Sequence, residues 1–243
     1  MRALLADAAR TLFPPKGDRH GPLPPLLLAL TVVTGLVDAV SYLGLGHVFV
    51  ANMTGNVVFL GFALAGAGGL SALASVVSLA AFLTGAVAGG RFGVRFGEHR
   101  GRLLAGAMAV QAVLFAGALG TALAGHDTTT AAVRYALIVL LGLGMGLQNA
   151  VARRLGVPDL TTTVLTGTLT GIASDSGTSR GAAPRPGRRV LSVLAMLLGA
   201  LTGALLLKVG VSLVLAVALT LLVAGAVALW RLSVPGTVWA RAP

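Results

Sequence analysis

The chain has 243 residues, of which 56% are apolar and only 10% charged, against about 25% charged in a soluble domain. So few charges cannot cover a soluble globule of this size. That excludes soluble enzymes, disordered chains and nucleic-acid-binding domains, and the formal net charge of +11 comes from basic residues lying between apolar runs. Residues 1–13 carry Arg2, Asp7 and Arg10 and lack the apolar core of a cleavable signal peptide. Leu4, Leu5, Ala8, Leu12 and Phe13 share one helical face, which fits an interfacial helix ended by Pro14-Pro15 or, equally, a frayed tail. Apolar runs follow at residues 24–45, 48–66, 70–90, 103–124, 132–152, 190–209 and 211–230, with a weaker, Thr-rich segment at 161–173.

The distribution of Lys and Arg decides how many of these segments cross. If 48–66 and 161–173 enter and leave on one side, six runs cross and 16 of the 18 basic residues fall on the cytoplasmic side, leaving Arg134 and Lys208 outside. Eight full crossings leave at most 11 inside. The positive-inside rule selects six, with both termini cytoplasmic, in a plasma or inner membrane. The expected fold is an all-α integral membrane protein with six transmembrane helices and two re-entrant, broken helical segments. Irregular backbone at membrane depth must be enclosed by protein or line a cavity.

An internal repeat runs through the chain. Gly35-Leu36-Val37-Asp38-Ala39-Val40 resembles Gly146-Leu147-Gln148-Asn149-Ala150-Val151 at an offset of 111. Leu43-Gly44 and Thr54-Gly55 match Leu155-Gly156 and Thr166-Gly167 at 112, and the Gly85/Gly89 pair matches Gly199/Gly203 at 114. Three crossings per half is odd, so the second half inserts upside down, an arrangement many transporters use to build a midplane site. The expected divisions are a cytoplasmic segment over 1–23, membrane repeats over 24–126 and 127–232, and a cytoplasmic tail over 233–243.

Asp38 is the one acid well inside an apolar run, roughly 18 Å beyond Leu26 along a helix and so past the middle of a core about 30 Å thick. An ionised carboxylate there costs at least about 2.5–3.5 kcal/mol. It is therefore expected to face the protein, either coupling a proton or cation or tying the first helix to a re-entrant backbone amide. Its repeat counterpart is Asn149, beside Gln148. In Asn52-Met53-Thr54-Gly55-Asn56 the extended stretch ends, Thr54 is the expected N-cap, and a half-helix begins. Thr166-Gly167-Thr168 repeats the scheme. Two half-helix N-termini directed at one region suit an anionic or electronegative solute, although a capped helix break without ligand uses the same residues. The expected solute-binding set is Asp38, Asn52, Thr54, Gly55, Asn56, Gln148, Asn149, Thr166, Gly167 and Thr168.

There is no Cys, and His20, His47, His99 and His126 are scattered, so no metal or other cofactor is expected. His47, at the outer end of the first run, stands between a titrating role and an incidental one. Gly85/Gly89, Gly142/Gly146 and Gly199/Gly203 are GxxxG pairs for close helix packing or a homodimer seam. Residues 180–189 read as a solvated linker able to touch anionic lipid, with no nucleic-acid partner.

The run Gly35-Leu36-Val37-Asp38-Ala39-Val40 leading to Phe49-Val50-Ala51-Asn52-Met53-Thr54-Gly55-Asn56 resembles the N-terminal signature of the YoaK-like bacterial membrane proteins. Gly146-Leu147-Gln148-Asn149-Ala150 and Thr162-Thr163-Val164-Leu165-Thr166-Gly167 resemble that family's second signature. The likeness runs from about residue 24 to 230 and implies an integral bacterial membrane protein, without supplying a substrate or catalytic residues. The expected function is a small-solute transporter or channel, with proton coupling through Asp38. A structural or assembly membrane protein is the alternative. An intramembrane enzyme is not expected, because Asp38 and His47, nine residues apart, are the one conceivable acid–base couple.

Overall fold

The computed structural model describes residues 2–125, 130–160, 162–163, 165–174, 185–233 and 238–240. His126, Thr161, Val164, Arg180, Arg241 and the division expected at 126/127 lie outside them. The helices are α1 (Arg2–Leu12), α2 (Leu23–Gly44), α3 (Met53–Leu64), α4 (Ala72–Phe96), α5 (Arg100–Ala124), α6 (Ala131–Leu155), α7 (Leu165–Ser174), α8 (Pro186–Leu207) and α9 (Val211–Leu232), followed by a 3-10 turn, Val238–Ala240. Among the described residues α2, α4, α5, α6, α8 and α9 are long and apolar enough to cross a membrane. Leu83, Val113, Leu197, Leu201 and Val227 stand exposed on these helices, a belt that water would disfavour and lipid tails accept.

Local chemistry sets the helix ends. Pro24 and Pro25 occupy the opening turn of α2, where their missing N–H groups go unused. Ser71 accepts the Ala74 N–H at 3.1 Å to start α4, and His99 Nδ1 accepts the Arg102 N–H at 3.3 Å to start α5. Thr31 and Thr34 return their hydroxyls to the Leu27 and Leu30 carbonyls, satisfying them inside an apolar helix. Several helices outrun the apolar stretches. Arg95, Arg153, Arg154, Arg188 and Arg189 lie on terminal turns, Arg91 lies one turn further into α4, and 186–189 are the first turn of α8, not a solvated linker. Arg is a good helix former whose long stem carries its charge to the boundary.

Tertiary contacts assign the helix ends to two faces. Arg100 Nη2 donates to the Leu155 carbonyl at 2.7 Å and lies 3.3 Å from His20 Nδ1. Gly93 and Gly97 abut the Arg154 side chain, and Gly101 abuts Ser233 and Trp239. Arg188 Nη1 donates to the Pro158 carbonyl at 3.4 Å. The starts of α2, α5 and α8 and the ends of α4, α6 and α9 therefore share one Arg-rich, basic face. At the opposite face Gly44 meets Leu207 and Val211, and Gly46 meets Arg134. The link containing α3 joins helix ends on the opposite face, and the link containing α7 joins helix ends on the basic face.

The helix pairing is unchanged when the halves exchange. With α2, α3, α4 and α5 set against α6, α7, α8 and α9, the α4–α6 pair maps onto α8–α2, α5–α6 onto α9–α2, α3–α4 onto α7–α8, and α5–α9 onto itself. Glycines make the two tightest pairs. A Cβ on Gly85 or Gly146 would strike the backbone of Leu143 or Phe82, and one on Gly199 or Gly35 that of Val32 or Met196. These small-residue faces are thus filled within a single chain.

The N-terminal segment is not a free tail. α1 packs on α8, where Gly187 admits the backbone of Leu4 and Ala8. Asp7 Oδ2 accepts the Arg188 N–H at 3.1 Å, a carboxylate on the first turn of another helix. On the same basic face the Trp239 ring covers Gly21 and Gly101.

Candidate functional site

The site is built from the loop between α2 and α3. Asp38, buried on α2, turns its carboxylate toward the amides of Val50, Ala51 and Asn52. Its Oδ1 accepts the Ala51 N–H at 3.0 Å, and its buried Oδ2 has no hydrogen-bond partner among the described residues. Tyr42 stacks on Phe49 at 4.9 Å, Phe49 on Phe59 at 5.8 Å, and His47 meets the Tyr42 ring edge-on at 5.2 Å. His47 is exposed, and its φ of 57° turns the chain back toward Phe49.

Asn56 is fully buried and locks the same loop. Its Oδ1 accepts the Phe49 N–H at 2.8 Å, and its Nδ2 donates to the Phe49 carbonyl at 2.6 Å and to Ser78 Oγ at 3.2 Å. Ser78 in turn donates to the Phe49 carbonyl at 2.6 Å. Gly55 is required beside this bridge, because a Cβ there would lie 2.7 Å from Phe49 Cδ2. α3 consequently begins at Met53, two residues before the expected start, with Asn52 at its N-cap and Thr54 inside its first turn. The Asn52 side chain makes no capping bond and stays exposed.

The second half repeats the plan with different groups. Asn149 on α6 accepts the Thr163 hydroxyl at 2.6 Å, as Asp38 accepts Ala51. Ser192 on α8 donates to the Asp159 carbonyl at 3.2 Å, as Ser78 does to Phe49. Asp159 has a φ of 64°, at an offset of 112 from His47. Thr162 also sits at positive φ, 62°, which is strained for a β-branched residue.

A cavity of about 650 Å³ joins the two halves, lined by Ala51, Asn52, Met53, Thr54, Gly55, Val58, Phe59, Phe82, Thr163 and Thr166. Asn52, Thr54, Gly55 and Thr166 therefore meet around one space, at the first turns of α3 and α7. Asp38 and Asn149 stand behind it as ties for the two loops. The polar atoms of Asn56 are spent on Phe49 and Ser78, and Gly167 and the buried Thr168 are not among the lining residues. Gln148 belongs elsewhere, in a buried chain in which Gln111 Nε2 donates to its Oε1 at 2.9 Å and its Nε2 donates to Thr34 Oγ1 at 3.1 Å.

Sequence reasoning passed over Ser78, Phe82 and Gln111. Ser78 had a readable signal, since Ser192 follows it at the 114-residue offset of the glycine pairs. The lining carries hydroxyls, one carboxamide, aromatic rings and backbone amides, and none of its residues is ionisable. Its fixed electrostatics are the positive ends of two helices.

Six helices long and apolar enough to cross a membrane, among the described residues, describe a multi-pass membrane protein. The chain belongs to the family described as "Protein of unknown function (DUF1275)", which it matches over residues 26–228. It is similar to the UPF0700 transmembrane protein YoaK of Bacillus subtilis (strain 168), with 33% identity over 150 residues. The match covers 62% of this chain and 65% of the relative, so the chain spans just under two thirds of the curated protein it matches. No solved structure matches.

Proposed function

We propose that this protein is a small-solute transporter or channel of the bacterial inner membrane, and that its permeation site is the cavity between α3 and α7. The observation that carries the reading is the convergence of Asn52, Thr54 and Gly55 from one half with Thr163 and Thr166 from the other on a single space. In this reading the two halves are inverted repeats, α3 and α7 are re-entrant from opposite sides, and the Arg-rich face is cytoplasmic with both termini. Helix-end dipoles and neutral donors suit a small anionic or polar solute, and the lining holds no acid–base pair for catalysis. Asp38 acts through the loop it holds, so any proton taken up at its free oxygen would be felt at Ala51 and Asn52.

Flux in proteoliposomes tests this. Small anions and polar neutral solutes are screened with the wild type, then with Asn52→Leu and Thr166→Leu, which fill the cavity from opposite halves. Loss of flux with unchanged melting supports the reading. If no solute moves, or if the leucine variants conduct like the wild type, a structural or assembly role replaces it.

A further inference from the structure

We propose a second site, on the basic face, that binds the headgroup of an anionic phospholipid. α4 and α5 are joined by only three residues, yet α4 packs chiefly on α6 and α5 on α9 and α6. The two helices therefore splay, and the wedge between them closes near the link, where the Phe92 ring lies against Gly106. At its base is a cavity of about 450 Å³ lined by Phe92, Arg95, Phe96, Glu98, His99, Arg102, Gly106 and Trp230. It is separate from the cavity at α3 and α7 and shares no lining residue with it.

The chemistry of the lining selects the occupant. Two guanidiniums, from Arg95 and Arg102, face the space with one opposing carboxylate, Glu98. His99 spends Nδ1 as the acceptor of the Arg102 N–H, which leaves the proton of a neutral imidazole on Nε2 as a donor. That Nε2 is buried and has no hydrogen-bond partner among the described residues. Arginine and imidazole donors match phosphate oxygens. The remaining wall is aromatic, and Trp230, largely exposed, lies on the last turn of α9, at the depth where indole rings anchor to headgroups. Above the pocket α5 presents exposed Val110 and Val113 on the face that carries Arg102 and Gly106. A soluble phosphate would have no use for that apolar wedge, whereas a phospholipid would lay its acyl chains along it.

Native mass spectrometry of the full chain, released from mild detergent with phosphatidylglycerol or phosphatidylcholine, reads the site directly. Phosphatidylglycerol should be retained over phosphatidylcholine, and R95Q/R102Q should weaken its retention about thirtyfold, from two interfacial arginines. Arg134→Gln on the opposite face is the charge control and should retain it fully. Glu98→Gln removes the opposing carboxylate and should raise retention about fivefold, a gain that misfolding cannot imitate. Equal retention of the two lipids, undiminished binding by the double variant, or no gain in Glu98→Gln overturns the proposal. Displacement of the lipid by millimolar inorganic phosphate also overturns it, and assigns the pocket to a free anion.

Discussion

The Asn56 side chain and the Phe49 backbone form a two-way bridge. The amide oxygen accepts the Phe49 N–H at 2.8 Å while the amide nitrogen donates to the Phe49 carbonyl at 2.6 Å. One side chain thus pairs with the loop as a neighbouring strand would, in a place where no strand could fit. Asn56→Ala would strand the Phe49 N–H, while the Phe49 carbonyl keeps Ser78 Oγ, and the expected loss is about 1–3 kcal/mol of stability. Asn56→Asp puts a second oxygen against the Phe49 carbonyl in a fully buried place and should cost at least as much as Ala. Denaturant or thermal unfolding in detergent measures both.

The close glycine contacts give a second prediction with an internal control. Gly146→Ala and Gly35→Ala place a methyl against the backbone of α4 and α8 respectively, where nothing flexible can move aside. Each should cost about 1–3 kcal/mol as an overpacked contact. Gly90, also inside α4, has open space where a Cβ would go, so Gly90→Ala should stabilise by about 0.5–1 kcal/mol through helix propensity. Melting temperatures of the three variants check the set. A uniform response would remove the steric explanation.

His20 supplies a pH dependence. Burial, followed by the nearby Arg100, Arg188 and Arg185 charges, pushes the imidazole down from 6.5 to about 4. The folded protein therefore keeps His20 neutral between those values while the unfolded chain takes up a proton. Stability contributed by this group is full above about pH 6.5, declines as pH falls toward 4, and is absent below. Melting curves from pH 7 to 4 should show that decline. In His20→Gln the same interval should be flatter, because nothing at position 20 can protonate.

Much of this architecture was legible because membrane insertion writes it into composition. Six spans were readable from the apolar runs between arginines, and the short α3 from Asn52, Gly55 and Asn56 interrupting one. Helix ends were less legible. Arginine extends a helix as readily as it terminates an apolar run, so α4 and α6 continue past Gly90 and Ala152. The division of labour at the site was not readable at all. Asn52 and Asn56 are the same residue type four positions apart, yet one faces the cavity and the other is consumed by Phe49. That difference depends on the path of the loop, which Asp38, Tyr42 and Ser78 set from other helices. The role of Gln148 was likewise hidden, because its partners Gln111 and Thr34 come from helices far away in sequence.

The two-faced arrangement of helix ends yields the most direct topological prediction. The chain contains no Cys, so a single introduced thiol reports its own location. Ala67, Gly68 and Gly69 form an exposed turn between α3 and α4, and Gly68 and Gly69 have open space around them, so Cys at 67 or 68 should not disturb packing. If α3 leaves and returns on the face opposite the arginines, a membrane-impermeant maleimide added to intact cells should label Ala67→Cys. A Cys at exposed Arg153, on the basic face, should react only after the membrane is opened. Labelling of position 153 and of a Cys at Lys16, but not of 67, in intact cells would reverse the orientation. If a Cys at exposed Lys16, before α2, instead shares the response of position 67, then α3 crosses, and the cavity between α3 and α7 loses its place at the centre of a permeation path.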